Sequence, residues 1–276
     1  MKFCNRKNFY IFYILLFIIA GMLVFLFNFF SVKSSGQIYC VRDFCSWQDS
    51  FLPAATFSVN DNIFPSFFDG ELIYHYKKIS PYQLDFLFKS LAIYKSKDRL
   101  IGFSNYLYPE DFLKKNDAIE LSEKNTQVFI IENKVFLNPI NEIKPFLNTS
   151  VSIVNFYYLN EEEVPVAFRT SYKSNVIPIL IYAYSTYLSG RYAFTTNVYK
   201  LEIYLDKTMV YQRELDVLSK ARIVELITTS SRPQFIKYII SNVSNGEHTL
   251  TVKVYDIQGH SKEIQKKFVV KTDLDQ

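Results

Sequence analysis

Two kinds of pattern follow one another along this chain. The first is an apolar run of 22 residues, Phe9 to Phe30, that carries no formal charge. At 1.5 Å per residue it predicts a helix about 33 Å long, enough to cross a hydrocarbon core. Further on the pattern is alternation. Tyr199, Leu201, Ile203 and Leu205 alternate with Lys200, Glu202, Tyr204 and Asp206, the two-residue period of a half-buried strand. Asp206-Lys207-Thr208 turns the chain and Met209-Val210-Tyr211 returns it. Leu250, Val252 and Val254 repeat the alternation, Asp256 to Gly259 supplies a turn, and Ile264, Phe268 and Val270 resume on one face. Strands recurring with turns between them predict an antiparallel sandwich over 149–272.

The stretch between these two patterns is less regular. Val128 to Ile131 and Val135 to Leu137, parted by Glu132-Asn133-Lys134, predict a β-hairpin, and Pro139 and Pro145 mark its exit. Leu84 to Tyr94 is apolar too continuously for its period to choose helix or strand. The chain thus divides into an N-terminal tail (1–8), an anchor (9–30), a juxtamembrane linker (31–50), a first β-region (51–148), the sandwich (149–272) and a short tail (273–276).

Composition and charge sharpen this division. With 26 Phe and 21 Tyr against 7 Gly and 9 Pro, the chain has ample material for a packed core. Its net charge of +4 falls to +1 once Lys2, Arg6 and Lys7 are set aside, so most of the excess flanks the apolar run. Basic residues there hold the N-terminus in the cytoplasm and send the rest across the membrane. No clustered Lys/Arg supports nucleic-acid binding. The apolar run is longer than a signal peptide's and ends without an A-x-A-like site, so an uncleaved anchor is expected. Tyr39 before Cys40 is too bulky for a lipoprotein signal. Cys40 and Cys45 are close enough in sequence for a disulfide, which an oxidising compartment would favour, or for two free thiols.

Several short stretches carry a family signature. Asn245 to Asp256, followed by Gly259, resembles the closing strands of bacterial Ig-like modules. Asp69-Gly70-Glu71-Leu72, then Leu113 to Ile119, then Asn125 to Ile131, then Asn138-Pro139, resemble in the same order the framing pieces of M23 (LytM-type) peptidoglycan endopeptidases. That resemblance implies a mainly β protein: a transmembrane helix, a degenerate M23-like β-domain, then an antiparallel Ig-like sandwich. In the family an "H-x-H" pair serves zinc binding and catalysis. Here Thr126, Gln127 and Val128 stand at those positions, and none offers an imidazole to a metal. Asn60 and Asp61 do not restore the upstream His-Asp pair. The resemblance therefore implies no catalytic residue, no metal and no cofactor.

Other chemistries find little footing. His75, His248 and His260 are scattered, and a hairpin would hold the last two about 25 Å apart, so each is expected to be a surface or edge residue. Glu161-Glu162-Glu163 before Pro165 is expected to be a solvated turn. Phe156-Tyr157-Tyr158 with Tyr182, Tyr184 and Tyr187 could form a sugar-binding face, but is expected to be sheet core and rim. There is no G-x-S-x-G, P-loop or G-x-G-x-x-G. The expectation is a non-catalytic, single-pass protein of a bacterial inner membrane, its C-terminal part periplasmic, that binds peptidoglycan or a wall hydrolase. An anchored Ig-like structural or adhesion module is the alternative.

Overall fold

The computed structural model of the protein describes residues 37–44, 53–77, 90–229 and 234–272. The expected anchor at 9–30 lies outside them; among the described residues no helix is long and apolar enough to cross a membrane. The described chain is mainly β.

The first half contributes β1 (Tyr39–Arg42), β2 (Ala55–Ser58), β3 (Ile63–Pro65), β4 (Gly70–Lys77), β5 (Ser90–Ser96), β6 (Arg99–Ser104), β7 (Phe112–Leu113), β8 (Ala118–Glu120), β9 (Asn125–Glu132) and β10 (Val135–Leu137). Most of them form one antiparallel sheet in the order β1-β2-β9-β6-β5-β4-β7, with β10 on β9, while β3 pairs with β8 beside it. The ambiguous stretch before Tyr94 is thus resolved as strand from Ser90 onward. The hairpin expected at 128–137 is present: Val135 pairs with Glu132, and Asn133 and Lys134 both take positive φ, as a tight hairpin turn requires. At Gly102 a Cβ would stand 2.0 Å from the Phe129 ring, so the missing side chain lets that ring lie on β6. The core is aromatic. Phe103 stacks on Phe68 at 5.8 Å and meets Phe64 and Phe67 edgewise or tilted at 5.6 and 6.0 Å.

A short helix, α1 (Pro139–Ile143), follows. Asn138 caps it by accepting the Ile140 N–H, and Pro139 enters the first turn, where a missing N–H costs nothing. Then come β11 (Asn148–Leu159), β12 (Pro165–Val166), β13 (Ser171–Tyr172), β14 (Ile177–Ser189), β15 (Tyr192–Thr196), β16 (Lys200–Leu205), β17 (Thr208–Glu214), β18 (Val217–Leu218), α2 (Lys220–Thr229), β19 (Phe235–Ile240), β20 (Gly246–Tyr255) and β21 (Ser261–Val270). One sheet runs β12-β11-β14-β15 with β19 also on β14; the other runs β13-β21-β20-β16-β17. All these pairings are antiparallel except β13 with β21. Ile177, Ile179, Ile181 and Ala183 of the first sheet share one core with Leu201, Ile203, Leu250, Val252, Val254 and Phe268 of the second. The alternation in the sequence is therefore the alternation between this core and the outer faces.

Residues beyond the expected boundary at 148/149 also enter the first core. Tyr187, Leu215, Leu218 and Leu226 pack there, and β18 extends the first sheet by pairing with β10. Parts of the second β-region thus help to complete the first core, while the two sheets of the sandwich keep a core of their own.

The outer edge of β11 is closed by side chains of the opposite sheet. Gln258 accepts the Thr149 N–H, and Lys266 donates to Phe156 O at 3.0 Å and Asn155 Oδ1 at 2.6 Å. Between them the register shifts at Ile153/Asn155, a bulge that spoils pairing with a further strand. The Lys266 ammonium also lies 4.5 Å from the centre of the Phe156 ring, and burial pulls its pKa below the usual lysine value. We expect Lys266→Met to lower stability by about 1–3 kcal/mol, because two part-buried acceptors lose a charged donor. Urea unfolding checks the loss, and light scattering checks whether the opened edge promotes association.

Candidate functional site

Thr126, Gln127 and Val128 lie in β9, between β2 and β6. Strand alternation sends Thr126 and Val128 into the core, both fully buried, and leaves Gln127 half-buried on the other face. Thr126 Oγ1 donates to Ser104 O at 2.7 Å, and Ser104 Oγ accepts the Gln127 N–H at 2.7 Å. Hydroxyls thus stitch β9 to β6 at this place. The Gln127 side-chain oxygen has no hydrogen-bond partner among the described residues.

The stretches at 69–72 and 113–119 meet in space. Gly70 pairs with Leu113, Asp69 Oδ1 accepts the Lys115 N–H at 2.7 Å, and Asp117 Oδ2 accepts the Lys114 N–H at 2.7 Å. Asn116 takes a positive φ in that turn. Asn138, besides capping α1, donates through Nδ2 to Leu215 O. Asp69, Asn116, Asp117 and Asn138 thus shape turns or a cap. Among the described residues no group of three His, Cys, Asp or Glu side chains stands close enough to hold a metal ion.

The three histidines are apart. His75 is exposed on β4, and His260 is largely exposed while its Nδ1 meets the buried Asp256 at 2.8 Å. His248 differs from the surface or edge residue expected of it, since β20 lies between β21 and β16. It is buried, with Nδ1 against Asp206 and Nε2 2.8 Å from Ser244 O. A ring flanked by a carboxylate and a carbonyl donates from both nitrogens, so this geometry selects the imidazolium. Neither nitrogen is left for a metal or a proton transfer. Burial pushes its pKa down, but Asp206 and the Ser244 carbonyl outweigh that and hold it above 6.5. Asp206 also accepts the Thr249 N–H at 2.7 Å, so the pair clamps the β16–β17 turn to β20.

This clamp has a pH signature. A histidine raised on folding contributes fully below its unfolded value of 6.5 and loses the contribution as pH rises through its higher folded value. We expect His248→Gln to cost about 1.5–3 kcal/mol at pH 6 and markedly less at pH 9. Thermal melts of both proteins at the two pH values read this difference.

The aromatic residues do not form one face. Phe156 and Tyr187 are buried in cores, whereas Tyr157, Tyr182 and Tyr184 lie on the outer face of the β11–β14 sheet. There Tyr182 stacks on Phe235 of β19 at 4.8 Å and 17°, so each ring spends one face on the other. Glu161, Glu162 and Glu163 are exposed in a turn organised by Asn160, whose Oδ1 accepts the Glu162 and Val164 N–H groups. Glu163 pairs with Lys237.

Cys40 is a fully buried free thiol on β1, and burial raises its pKa; Cys45 lies outside the described residues. Three residues on, Asp43 is buried too, an environment nothing nearby in the chain foretells. Its Oδ1 accepts the Phe44 N–H at 2.7 Å, its Oδ2 lies 3.2 Å from Thr196 Oγ1, and Tyr187 is a further hydrogen-bond partner. Burial outweighs these donors and lifts its pKa to about 7.

The chain matches no protein-family model, no curated protein and no solved structure.

Proposed function

We propose that the protein is a non-catalytic, membrane-anchored component of a bacterial cell envelope that acts by holding peptidoglycan or a wall hydrolase. Its first β-region would be a degenerate M23-like domain and its second an Ig-like sandwich. The observation that carries this reading is the use made of Thr126, Gln127 and Val128. Where the resemblance implies an "H-x-H" pair, two of these side chains are core residues and the hydroxyl of one bonds β6. The convergence of the Asp69-Gly70 and Lys114–Asp117 turns is compatible with the same frame. With strand packing in place of ligands, such a domain acts by binding.

The test uses the full chain in detergent. Co-sedimentation with purified peptidoglycan sacculi, or capture of a wall hydrolase, is the expected result. Stoichiometric zinc together with muropeptide cleavage would sink the reading.

The alternative, an anchored structural or adhesion module without a link to wall hydrolysis, draws on a different observation. Leu215, Leu218 and Leu226 complete the first core from within the second region, which suits a single rigid spacer. Failure to bind either sacculi or a hydrolase would favour it.

A further inference from the structure

We propose that Asp43 is a pH-responsive latch that holds the β1 segment against the β14–β15 hairpin. The segment is fastened to that hairpin by polar groups out of reach of solvent. Cys40 N–H donates to Ser189 Oγ at 2.7 Å, and Ser189 in turn bonds Phe146 O. Asp43 reaches Thr196 on β15 and Tyr187 on β14. Cys40, Asp43, Tyr187, Ser189 and Thr196 are all buried.

Protonation decides how comfortable this junction is. The neutral carboxyl donates its proton to a hydroxyl oxygen of Thr196 or Tyr187, both of which can also accept. The ionised form keeps its donors but places a full charge in the interior. The ionisable side chains acting on the cluster are Cys40 on β1, Tyr187 on β14 and Asp256 in the β20–β21 turn, all of them acids. Cys40 and Tyr187 are held well above their ordinary values and stay neutral in this range, so neither neutralises the carboxylate; burial, against the Phe44, Thr196 and Tyr187 donors, sets its balance. As pH rises through about 7 the carboxyl ionises. Opening the junction then lets the charge reach water, so the segment detaches more readily at higher pH.

Cys40 reports this opening, because its sulfur reacts only when the segment lifts. The experiment uses the full chain in detergent with Cys4→Ser and Cys45→Ser, which leaves Cys40 as the sole thiol. Its alkylation rate by iodoacetamide is divided by the rate in urea at the same pH, which cancels the thiol's own ionisation. We expect this ratio to rise about tenfold between pH 6 and 8.5, and to stay flat in Asp43→Asn. A flat ratio in the parent protein, or an equal rise in Asp43→Asn, overturns the proposal. Should Asp43→Asn not fold, Thr196→Val decides. Loss of a donor to the carboxylate moves the midpoint upward if the latch is Asp43, and an unmoved midpoint overturns it.

Discussion

Replacing Phe103 by alanine is expected to lower the unfolding free energy by about 3–5 kcal/mol, a large effect for one side chain. Phe103 is fully buried on β6 and in ring contact with Phe64, Phe67 and Phe68. Those three come from β3 and the turn before β4, so one side chain joins the sheet to the segment crossing it. Removing it leaves a void whose lining cannot collapse, because Phe64 and Phe68 are held by their own strands and turns. The cost is therefore the lost transfer energy plus the cavity. Urea unfolding of both proteins measures it. A loss below about 1 kcal/mol would mean that the site relaxes and that the cluster is looser than its geometry implies.

The second large effect concerns Asp43. Its folded carboxyl titrates near 7 against a reference of 3.8, so the folded state holds the proton more tightly than the unfolded chain. That contribution is complete below pH 3.8, shrinks as pH rises, and is gone above about 7. Above that point the buried charge is a net cost. Asp43→Asn, which keeps shape and hydrogen-bonding capacity without the charge, is expected to gain about 2–4 kcal/mol relative to wild type between pH 4 and pH 8. The quantity to follow is the difference between the two proteins across that range, since other carboxylates contribute to both curves alike. A difference that does not vary with pH would show that the carboxyl titrates at its ordinary value.

Parts of this architecture were legible from residues close together in the chain. The alternation in Tyr199 to Leu205 and in Leu250 to Val254 matches β16 and β20. Asp206-Lys207 forms the expected turn because both residues take positive φ, matching the right-handed twist of the flanking strands. The hairpin at 128–137 was equally visible. Less visible was α1, although Asn138-Pro139 is a recognisable cap and first turn. For Leu84 to Tyr94, continuous apolarity suits a buried strand and a helix alike; pairing of β5 with β4 and β6 decides for strand from Ser90 onward.

The chemistry at single residues divides differently. That Thr126, Gln127 and Val128 lack imidazoles is a property of the sequence alone. That two of them are core residues is not, because it depends on β2 and β6 flanking β9. His248 shows the same limit. Its spacing from the other histidines was readable, but the imidazolium follows from Asp206, 42 residues earlier, meeting it across the β16–β20 pair.

What the chain determined by itself is local: where strands alternate, where turns fall, and which side chains can carry charge or bind metal. Those features depend on backbone sterics and on neighbours one or two residues away. The tertiary structure decided which charged groups lose water. Asp43 becomes a near-neutral acid only because Thr196, 153 residues further on, and the β14–β15 hairpin close over it. Desolvation is set by everything that packs around a group, and no window of consecutive residues contains that surrounding.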